Sequence, residues 1–177
     1  IIKSTLLSVL FSQQIGYGFF KEAKLTPFDY IHTYINIPDT IARDSLFQSE
    51  AKRCKEILTI IRTNKDKKHF CIFDELYSGT NPYEAISSAY SYLKYINKFK
   101  NVRFLLTTHY IRLCSLFDKH KKIKNYHMEA KMYDDDRDPK YTYCLKPGIS
   151  SIKGGICVLK QLRYPKKILR STTKILR

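Results

Sequence analysis

The sequence predicts an α/β fold in which a mainly parallel sheet is flanked by helices. Two short segments, 69–73 and 102–109, predict buried strands. The first is almost entirely apolar, as expected for a strand covered on both faces. Segments with helical spacing alternate with these runs, and a β-rich region follows at about 123–146. This order is typical of a parallel core sheet with added antiparallel edge strands and C-terminal helices.

The N-terminal part of the chain predicts a helix and then a strand. Apolar residues recur at helical spacing in the first stretch and stop at Gly16 and Gly18, which predicts a helix that ends at glycine. The segment 28–36 then alternates between apolar and polar residues, as a strand does.

Helices are predicted on both sides of the first buried strand. The segment 44–62 consists of helix formers and begins with Asp44 or Ser45 as its N-cap. The segment 81–98 opens with Asn-Pro, and proline is favoured in the first turn of a helix.

The C-terminal part predicts strands and then helices. Residues 123–146 alternate around the acidic stretch "DDDRDPK", which predicts a hairpin or two meandering strands with an acidic turn. Two short helices are expected to close the chain, one near 154–162 and one from Pro165 onward.

Length and composition bound the class of protein. The chain has 177 residues, about one domain, and its 44% hydrophobic content excludes a disordered chain. No apolar run approaches the ~20 residues that span a bilayer, so we expect a soluble protein with no membrane partner. Because residue 1 is Ile1 rather than methionine, we expect a fragment of a longer polypeptide.

The cysteines favour an intracellular protein. They are scattered, odd in number and without a C-x-x-C pair, and several have apolar neighbours, which favours reduced, buried thiols over a disulfide framework or a zinc site. The five are Cys54, Cys71, Cys114, Cys144 and Cys157.

The net charge of +16 allows two interpretations. Clustered lysine and arginine side chains neutralise phosphates, so the basic runs 119–124 and 166–177 are candidate nucleic-acid contacts. The same runs fit solvated faces, because a chain rich in Lys, Ile, Tyr and Asn together is what an AT-rich gene encodes, and the charge alone favours this alternative.

Polar side chains stand at the ends of both buried strands. Asp74 and Glu75 follow the first strand directly, and a Thr-Thr-His sequence ending at His109 closes the second. Ligands of α/β sheets gather at the carboxyl ends of the strands, so these groups would share one crevice if the strands are neighbours.

An apolar strand ending in Asp-Glu fits a Walker B element. The aspartate would help to hold Mg²⁺ through its water shell, and the glutamate would polarise the attacking water. The alternative is that Asp74 and Glu75 only cap the loop that follows. The "SGTNP" segment and the "TTH" strand end make the Walker B interpretation more specific.

The motifs together resemble the ATPase domain of MutS-type mismatch-repair proteins, a P-loop NTPase fold of the ABC type. "FDELYSGTNPYEA" followed by "VRFLLTTHYIRL" resembles the family's Asp-Glu-Leu-x-x-Gly-Thr-[Ser/Asn] motif and its strand ending in Thr-Thr-His. "QQIGYGFF", "DSLFQSEAKRCKEIL" and "KPGISSIKGGICVL" resemble its Gln-Ile-Gly, Ser-[Thr/Leu]-Phe-x-x-Glu and Pro-Gly-x-Ser segments. The resemblance covers nearly the whole chain, with the motifs in family order.

The resemblance implies a metal-linked acid and two catalytic residues. Asp74 corresponds to the acid linked to Mg²⁺, and Glu75 to the residue that activates water. His109 corresponds to the switch histidine of the family. ATP and Mg²⁺ are the cofactors that this correspondence implies.

The resemblance also implies a set of cofactor-binding residues. Ser45 begins the helix that, in this family, faces the γ-phosphate bound to the opposite subunit. A helix N-terminus suits this role because its free N–H groups and dipole favour an anion. The alternative interpretation is that Ser45 is an ordinary N-cap. Gly79 and Thr80 would shape the loop that crosses the dimer interface, and Thr108 is a candidate at the second strand end.

The phosphate-binding loop of such an ATPase is not found in these residues. A P-loop needs G-x-x-x-x-G-K-[ST], and the segment "IIKST" carries isoleucines where glycine would allow close backbone approach. The spacing predicts that Lys3 lies on the helix after the loop and that the chain is cut just after its Walker A motif. Such a fragment alone is expected to be inactive.

Some positions depart from the family pattern. Arg43 and Asp44 stand where a glycine is common, which would change the charge opposite a γ-phosphate. Tyr77 and Ser78 replace the usual Gly-Arg. These differences indicate a divergent branch, such as those of large DNA viruses or organelles.

Three functional hypotheses follow. The first is an ATPase module of a MutS-like protein, with segment 1–150 as the ATPase domain and 151–177 as a helical dimerisation segment. It would act as a homodimer or heterodimer, with DNA as the partner of the full-length protein. The second is another ABC-type ATPase, although those carry Asp-Glu-Pro-Thr after the strand. The third is a non-catalytic dimerisation or DNA-tethering module of the same fold.

Overall fold

The computed structural model describes four ranges of the chain: 1–35, 45–131, 140–152 and 154–176. The chain divides into two compact units, Ile1–Leu113 and Cys114–Arg177. The sequence predicts a different, functional boundary, with an ATPase domain up to residue 150 and a dimerisation segment from residue 151. This boundary stays a prediction.

The first unit alternates helices and strands from its first residue. Its elements are α1 Ile2–Ile15, β1 Tyr30–Tyr34, α2 Leu46–Thr63, β2 His69–Asp74, α3 Pro82–Ile96, β3 Val102–Thr107 and the start of α4 Ile111–Phe117. The strands form one parallel sheet in the order β1-β2-β3. The predicted α/β fold with a parallel core sheet is confirmed. The prediction that the second apolar segment is a buried strand is wrong, because β3 lies at the edge of this sheet, only Val102 of its six residues is buried, and Leu105 is 40% exposed.

The central strand β2 is covered on both faces, which explains its unbroken apolar sequence. On one face, Phe70 and Ile72 pack in a cluster with Ile2 and Val9 of α1. On the other, the ring of Phe73 meets that of Tyr92 in α3 edge-on, with centroids 5.8 Å apart. Alternate side chains of a strand point to opposite faces, so one strand joins helices of both layers.

Helix α1 ends where the sequence predicts. Gly16 takes a left-handed conformation with φ 75°, and its N–H donates to the carbonyl of Ser12 at 3.2 Å. Glycine adopts this conformation without a steric penalty, which is why it commonly follows a helix. Lys3 lies on α1, the helix on which the sequence places it, and its side chain is exposed.

Helices α2 and α3 bury apolar stripes at helical spacing. Cys54, Ile57 and Ile61 of α2 are at most 2% exposed. The corresponding stripe of α3 is fully buried and consists of Ala85, Ala89, Leu93 and Ile96. Small alanines at the start of this stripe and larger side chains at its end are both accommodated in the closely packed interior.

A buried pair of histidines joins β1 to β2. His32 Nε2 lies 3.0 Å from His69 Nδ1, and His69 Nε2 lies 2.9 Å from the carbonyl oxygen of Asn64. A carbonyl can only accept, so His69 donates from Nε2 and accepts from His32 at Nδ1. Burial, the neighbouring His69 and then Arg53 lower the pKa of His32 to about 4.

The second unit contains a hairpin and two helices. Strands β4 Tyr126–Lys131 and β5 Lys140–Pro147 pair antiparallel with an irregularity between Met128 and Ala130, and they form a two-stranded sheet of their own. The predicted acidic turn lies outside the described residues. The expected C-terminal helices are α5 Gly154–Gln161 and α6 Lys166–Ile175.

One described element was not predicted. Helix α4 begins after the three residues 108–110 that follow β3, and it has seven residues. Leu113 and Phe117 are buried at 2% and 3% exposure and stand four residues apart. Two turns offer too few residues for an apolar periodicity to be recognised in the sequence.

No helix in the described part of the chain combines the length and the apolar character that crossing a membrane requires.

Three of the cysteines, Cys54, Cys71 and Cys157, are buried. Burial raises the pKa of the Cys54 and Cys71 thiols to about 12.

Candidate functional site

The carboxyl ends of β2 and β3 bring together the polar residues of both strands. Asp74 pairs with Thr107 in the parallel register, and the Thr107 hydroxyl donates to Oδ1 of Asp74. The N–H of Glu75 continues the ladder by donating to the carbonyl of Thr107 at 3.0 Å. The two strand ends are therefore neighbours, as the crevice hypothesis requires.

Glu75 and His109 form a pair above this edge. His109 Nδ1 lies 3.3 Å from Oε1 of Glu75, and both side chains face solvent, with 61% and 53% exposed. Glu75 has φ 52°, a left-handed backbone that is sparsely populated by non-glycine residues and is common at functional sites. The carboxylate and the imidazole are thus both accessible to a ligand at the strand ends.

Thr108 shapes the turn that carries His109. Its Oγ1 accepts from the N–H of Tyr110 at 3.0 Å, a local turn that leads into α4. The rings of His109 and Tyr110 lie 4.3 Å apart. Thr108 is therefore close to the site, and its hydroxyl takes part in holding the turn.

The loop after Glu75 is fixed to helix α2 by a buried carboxylate. Glu50 is 2% exposed. Its Oε1 accepts from the N–H and the hydroxyl of Ser78 at 3.0 and 2.9 Å, and its Oε2 accepts from the N–H of Gly79 at 3.0 Å. Backbone N–H groups thereby compensate part of the cost of burying the charge.

Tyr77 anchors the same loop in the core. It is 7% exposed, has φ 60°, and donates its N–H to the hydroxyl of Tyr34 at 3.1 Å. Its ring lies 5.7 Å from that of Phe47 in α2. Burial raises the pKa of both tyrosines, and the Glu50 carboxylate acts in the same direction.

Gly79 lies directly against the first turn of α2. A Cβ at this position would stand 2.7 Å from Cγ of Leu46 and 2.7 Å from the backbone nitrogen of Phe47. Only glycine fits such a close approach between two backbones. The contact sets the loop beside the helix that begins after Ser45.

Ser45 is the N-cap of α2. Its Oγ accepts from the N–H of Gln48 at 3.2 Å, and the Gln48 side chain accepts from the N–H of Ser45 at 2.8 Å, which completes a capping box. Ser45 is exposed. Asp44, the other predicted N-cap, and Arg43 lie outside the described residues.

Thr80 and Asn81 form the start of α3. The Thr80 hydroxyl donates to Glu84, and Oδ1 of Asn81 accepts from the N–H groups of Tyr83 and Glu84 at 3.1 Å each. The predicted Asn-Pro helix start is confirmed. Thr80 is half-buried between Gly79 and this cap.

The predicted site residues thus fall into two groups in the first unit. Asp74, Glu75 and His109 meet at the sheet edge, and Thr108 stands beside them. Gly79 packs against Leu46 and Phe47, the two residues that follow Ser45 at the start of α2, and Thr80 follows Gly79 along the chain. The loop 75–80 connects the two groups.

The linking residue, Glu50, was not among the predicted site residues. A signal for it was present, because Glu50 falls on the same helical face as Cys54, Ile57 and Ile61. An acid on a core-facing stripe is rarely buried without partners. The Thr107 hydroxyl bond to Asp74 was likewise not expected from the sequence.

Comparison with known proteins identifies relatives along the whole chain. Residues 1–177 match the family described as MutS domain V. Proteins described as "DNA mismatch repair protein MutS" are 34% identical over 158 residues in Aquifex pyrophilus and 28% over 176 residues in Persephonella marina. A third, from Parabacteroides distasonis, is 30% identical over 182 residues.

These relatives are much longer than the chain. The alignments cover 89%, 99% and 100% of this chain but 18%, 20% and 20% of the respective relatives. The chain therefore spans about a fifth of the length of the curated relatives it matches. The match over all 177 residues, together with an α/β fold that carries the family's motifs at its strand ends, shows that the chain belongs to the MutS domain V family.

Proposed function

We propose that the chain is the ATPase module of a MutS-like DNA mismatch-repair protein. In this proposal it binds and hydrolyses Mg-ATP across a dimer interface and so controls a clamp on DNA. The observation that carries the proposal is the exposed Glu75–His109 pair beside Asp74 at the carboxyl ends of two parallel strands. Family membership and the names of the relatives support it further.

The donor set at the strand ends fits Mg²⁺. Asp74 offers a carboxylate at the tip of β2, and the Thr107 hydroxyl fixes its orientation. Mg²⁺ prefers such oxygen ligands, usually one or two carboxylates together with waters and phosphates. When bound, the ion would neutralise charge on the phosphates of ATP. Asp74 is thus the proposed Mg²⁺-linked acid, acting largely through water.

Glu75 and His109 are the proposed catalytic residues. The Glu75 carboxylate is accessible and carries its own acceptor oxygens, so it can orient and polarise a water molecule. His109 lies within hydrogen-bond range of that carboxylate. It can hold the carboxylate in its orientation, or it can leave the carboxylate and bind a phosphate oxygen instead. The pair therefore combines a general base, Glu75, with a second residue, His109, whose hydrogen bond depends on whether Glu75 is in use.

The second group of residues is proposed to act at a dimer interface. The start of α2 exposes Ser45, and the N–H groups of a first turn together with the helix dipole favour an anion. Gly79 and Thr80 hold the loop beside this turn, and Thr108 holds the turn before His109. These contacts support a role in nucleotide sensing by the opposite subunit.

The proposal includes partners and a location. A second MutS-like subunit, identical or different, would complete the site, and DNA would be the partner of the full-length protein. Such a protein works where DNA is kept, so an intracellular location is part of the proposal. A divergent viral or organellar branch of the family remains the proposed origin of the departures at Tyr77 and Ser78.

The test measures Mg-ATP binding and turnover by the full-length native protein beside this 177-residue chain. We expect the full-length protein to bind and hydrolyse Mg-ATP, with both activities lost when Mg²⁺ is chelated. The chain alone contains no G-x-x-x-x-G-K-[ST] and should bind ATP much more weakly. If the full-length protein binds no nucleotide, the acidic pair is a relic and a non-catalytic dimerisation or DNA-tethering module is the better description.

A further inference from the structure

Glu50 is a buried acid that no catalytic role explains. It is 2% exposed, and three donors of the loop 75–80 converge on its two oxygens. Hydrogen bonds to an ionised acceptor in the interior are stronger than neutral ones. The loop is therefore bound to α2 by the kind of contact that resists small displacements.

Glu50 is connected to both groups of site residues, to one along the chain and to the other through its hydrogen bonds. It follows Ser45 by five residues on the same helix, a rise of roughly 7.5 Å. Its partner Ser78 follows Glu75 by three residues in the same loop. One carboxylate thus connects the helix that carries Ser45 with the loop that carries Glu75.

The contacts around Glu50 leave the loop little freedom to move independently of α2. Gly79 approaches Leu46 and the Phe47 backbone too closely for a Cβ, and the Tyr77 ring packs against Phe47. Behind the loop, the Tyr34 hydroxyl accepts from the Tyr77 N–H. A shift of the first turn of α2 must therefore move the loop with it or break buried hydrogen bonds.

We propose that Glu50 is a positioning residue that couples the helix N-terminus at Ser45 to the backbone that orients Glu75. This inference rests on the proposed function and deepens it. Contact of an anion with the start of α2 would be transmitted through Glu50, Ser78 and Gly79 to the carboxylate that acts on water. Glu50 itself touches neither nucleotide nor water in this scheme.

The experiment compares three variants of the full-length native protein. Glu50→Gln keeps the shape but loses one charge-assisted acceptor, and Ser78→Ala removes only the hydroxyl donor. Glu56→Gln is the matched control, because Glu56 lies on the same helix but is 61% exposed and pairs with Arg53. We expect Glu50→Gln to lower kcat about tenfold with KM for ATP nearly unchanged, Ser78→Ala to lower it less, and the control to match wild type.

A double-mutant cycle separates coupling from simple support. If Glu50 transmits the state of the α2 N-terminus, Ser45→Ala and Glu50→Gln disrupt one path, and the double variant loses less kcat than the product of the single effects. Values are normalised to the nucleotide bound per protein, so that a smaller folded fraction does not imitate the effect. Strictly multiplicative losses, or an unchanged kcat in Glu50→Gln, would overturn the proposal.

A second measurement does not depend on ATP hydrolysis. In the 177-residue chain, Glu50→Gln should accelerate amide hydrogen exchange at Ser78 and Gly79, with no comparable change in Glu56→Gln. Unchanged exchange at both amides would show that Glu50 does not hold the loop and would overturn the proposal. If the wild-type full-length protein hydrolyses no ATP, the proposed function itself fails and the coupling role fails with it, whatever the exchange result.

Discussion

Two residues of the loop after β2, Glu75 and Tyr77, have a left-handed backbone conformation. Each such conformation costs a non-glycine residue on the order of 1–3 kcal/mol. At Tyr77 the cost is offset by burial of the ring and by the hydrogen bond to Tyr34. At Glu75 the N–H donates to the carbonyl of Thr107, while the side chain is 53% exposed, so no comparable side-chain burial offsets the cost there.

Replacement of Glu75 by glutamine tests the chemistry of this carboxylate. Glutamine has the same shape and can still meet His109, but it cannot take a proton from water. In the full-length protein we expect ATP binding to stay within about twofold and hydrolysis to slow by about 100-fold or more. Equilibrium binding and single-turnover hydrolysis measure the two separately.

Glu22→Gln provides the control for this change, because Glu22 is an exposed acid in the coil after α1. It should leave hydrolysis at the wild-type rate. Wild-type turnover in Glu75→Gln would remove Glu75 from the mechanism.

At the scale of elements, the loop 75–80 and the first turn of α2 behave as one packed feature. Gly79 contributes no side chain, yet its backbone meets both Glu50 and Phe47. Such an approach between a loop and a helix start depends on volume rather than on charge, so a single methyl group is enough to test it.

Gly79→Ala should destabilise the chain by about 1–3 kcal/mol, because the added Cβ would overlap a backbone nitrogen that cannot move aside as a side chain can. Gly155→Ala is the matched control, since a Cβ there meets nothing within 4 Å. Urea unfolding of the 177-residue chain measures both. Equal unfolding midpoints for Gly79→Ala and wild type would contradict the close packing.

The strands β1 and β2 are joined by the histidine pair, which makes stability depend on pH. The pKa of His32 is about 4 when folded and 6.5 as a free group, so the unfolded chain binds the proton first on acidification. Stability should therefore fall as the pH drops from about 6.5 to about 4, by up to about 3 kcal/mol from this group.

The measurement is urea unfolding of the 177-residue chain at pH 7, 6 and 5, for wild type and for His32→Gln. The variant lacks the titrating group and should show a flatter dependence on pH than wild type. Parallel curves for the two proteins would assign the pH dependence to other groups.

At the scale of the whole molecule, the charge of +16 is not spread evenly. Helix α6 exposes Lys166, Lys167, Arg170 and Lys174, and the turn after α4 exposes Lys119, Lys121, Lys122 and Lys124. The two sets have the same number of cations, so they can be compared directly as candidate contacts for DNA phosphates.

Changing the four α6 cations to glutamine should lower the dependence of DNA affinity on salt. Each phosphate contact contributes about 0.9 to the slope of log K against log salt concentration. We expect the slope to fall in the α6 variant and to stay unchanged when the four lysines of 119–124 are replaced instead. The reverse result would assign the contact to the turn, and two unchanged slopes would leave both runs as solvated faces.

Most of the fold could be predicted from the sequence because its elements carry strong local signals. β2 is an unbroken apolar run, α2 and α3 begin with Ser45 and Asn81 as caps, and α1 ends at a glycine. Helix α4 was missed because seven residues carry too little periodicity.

The site was predicted as far as strand ends and motifs allow. Asp74 and Glu75 end one strand and His109 follows the next, and a parallel register of neighbouring strands is sufficient to bring such groups together. The link through Glu50 depends on contacts between a helix face and loop residues 28 and 29 positions further along the chain, about which the spacing of motifs carries no information.

The chain contains no tryptophan and 14 tyrosines, which gives its aromatic core a practical use. Tyr77 lies in the loop 75–80; its N–H donates to the Tyr34 hydroxyl, and its ring packs edge-on against that of Tyr92 with centroids 6.3 Å apart. Rings held in a fixed asymmetric setting produce near-ultraviolet circular dichroism, whereas freely rotating exposed tyrosines contribute little. Rearrangement of this loop at Tyr77, two residues from the Glu75 carboxylate that would act on water, should therefore be visible by circular dichroism of the unlabelled protein.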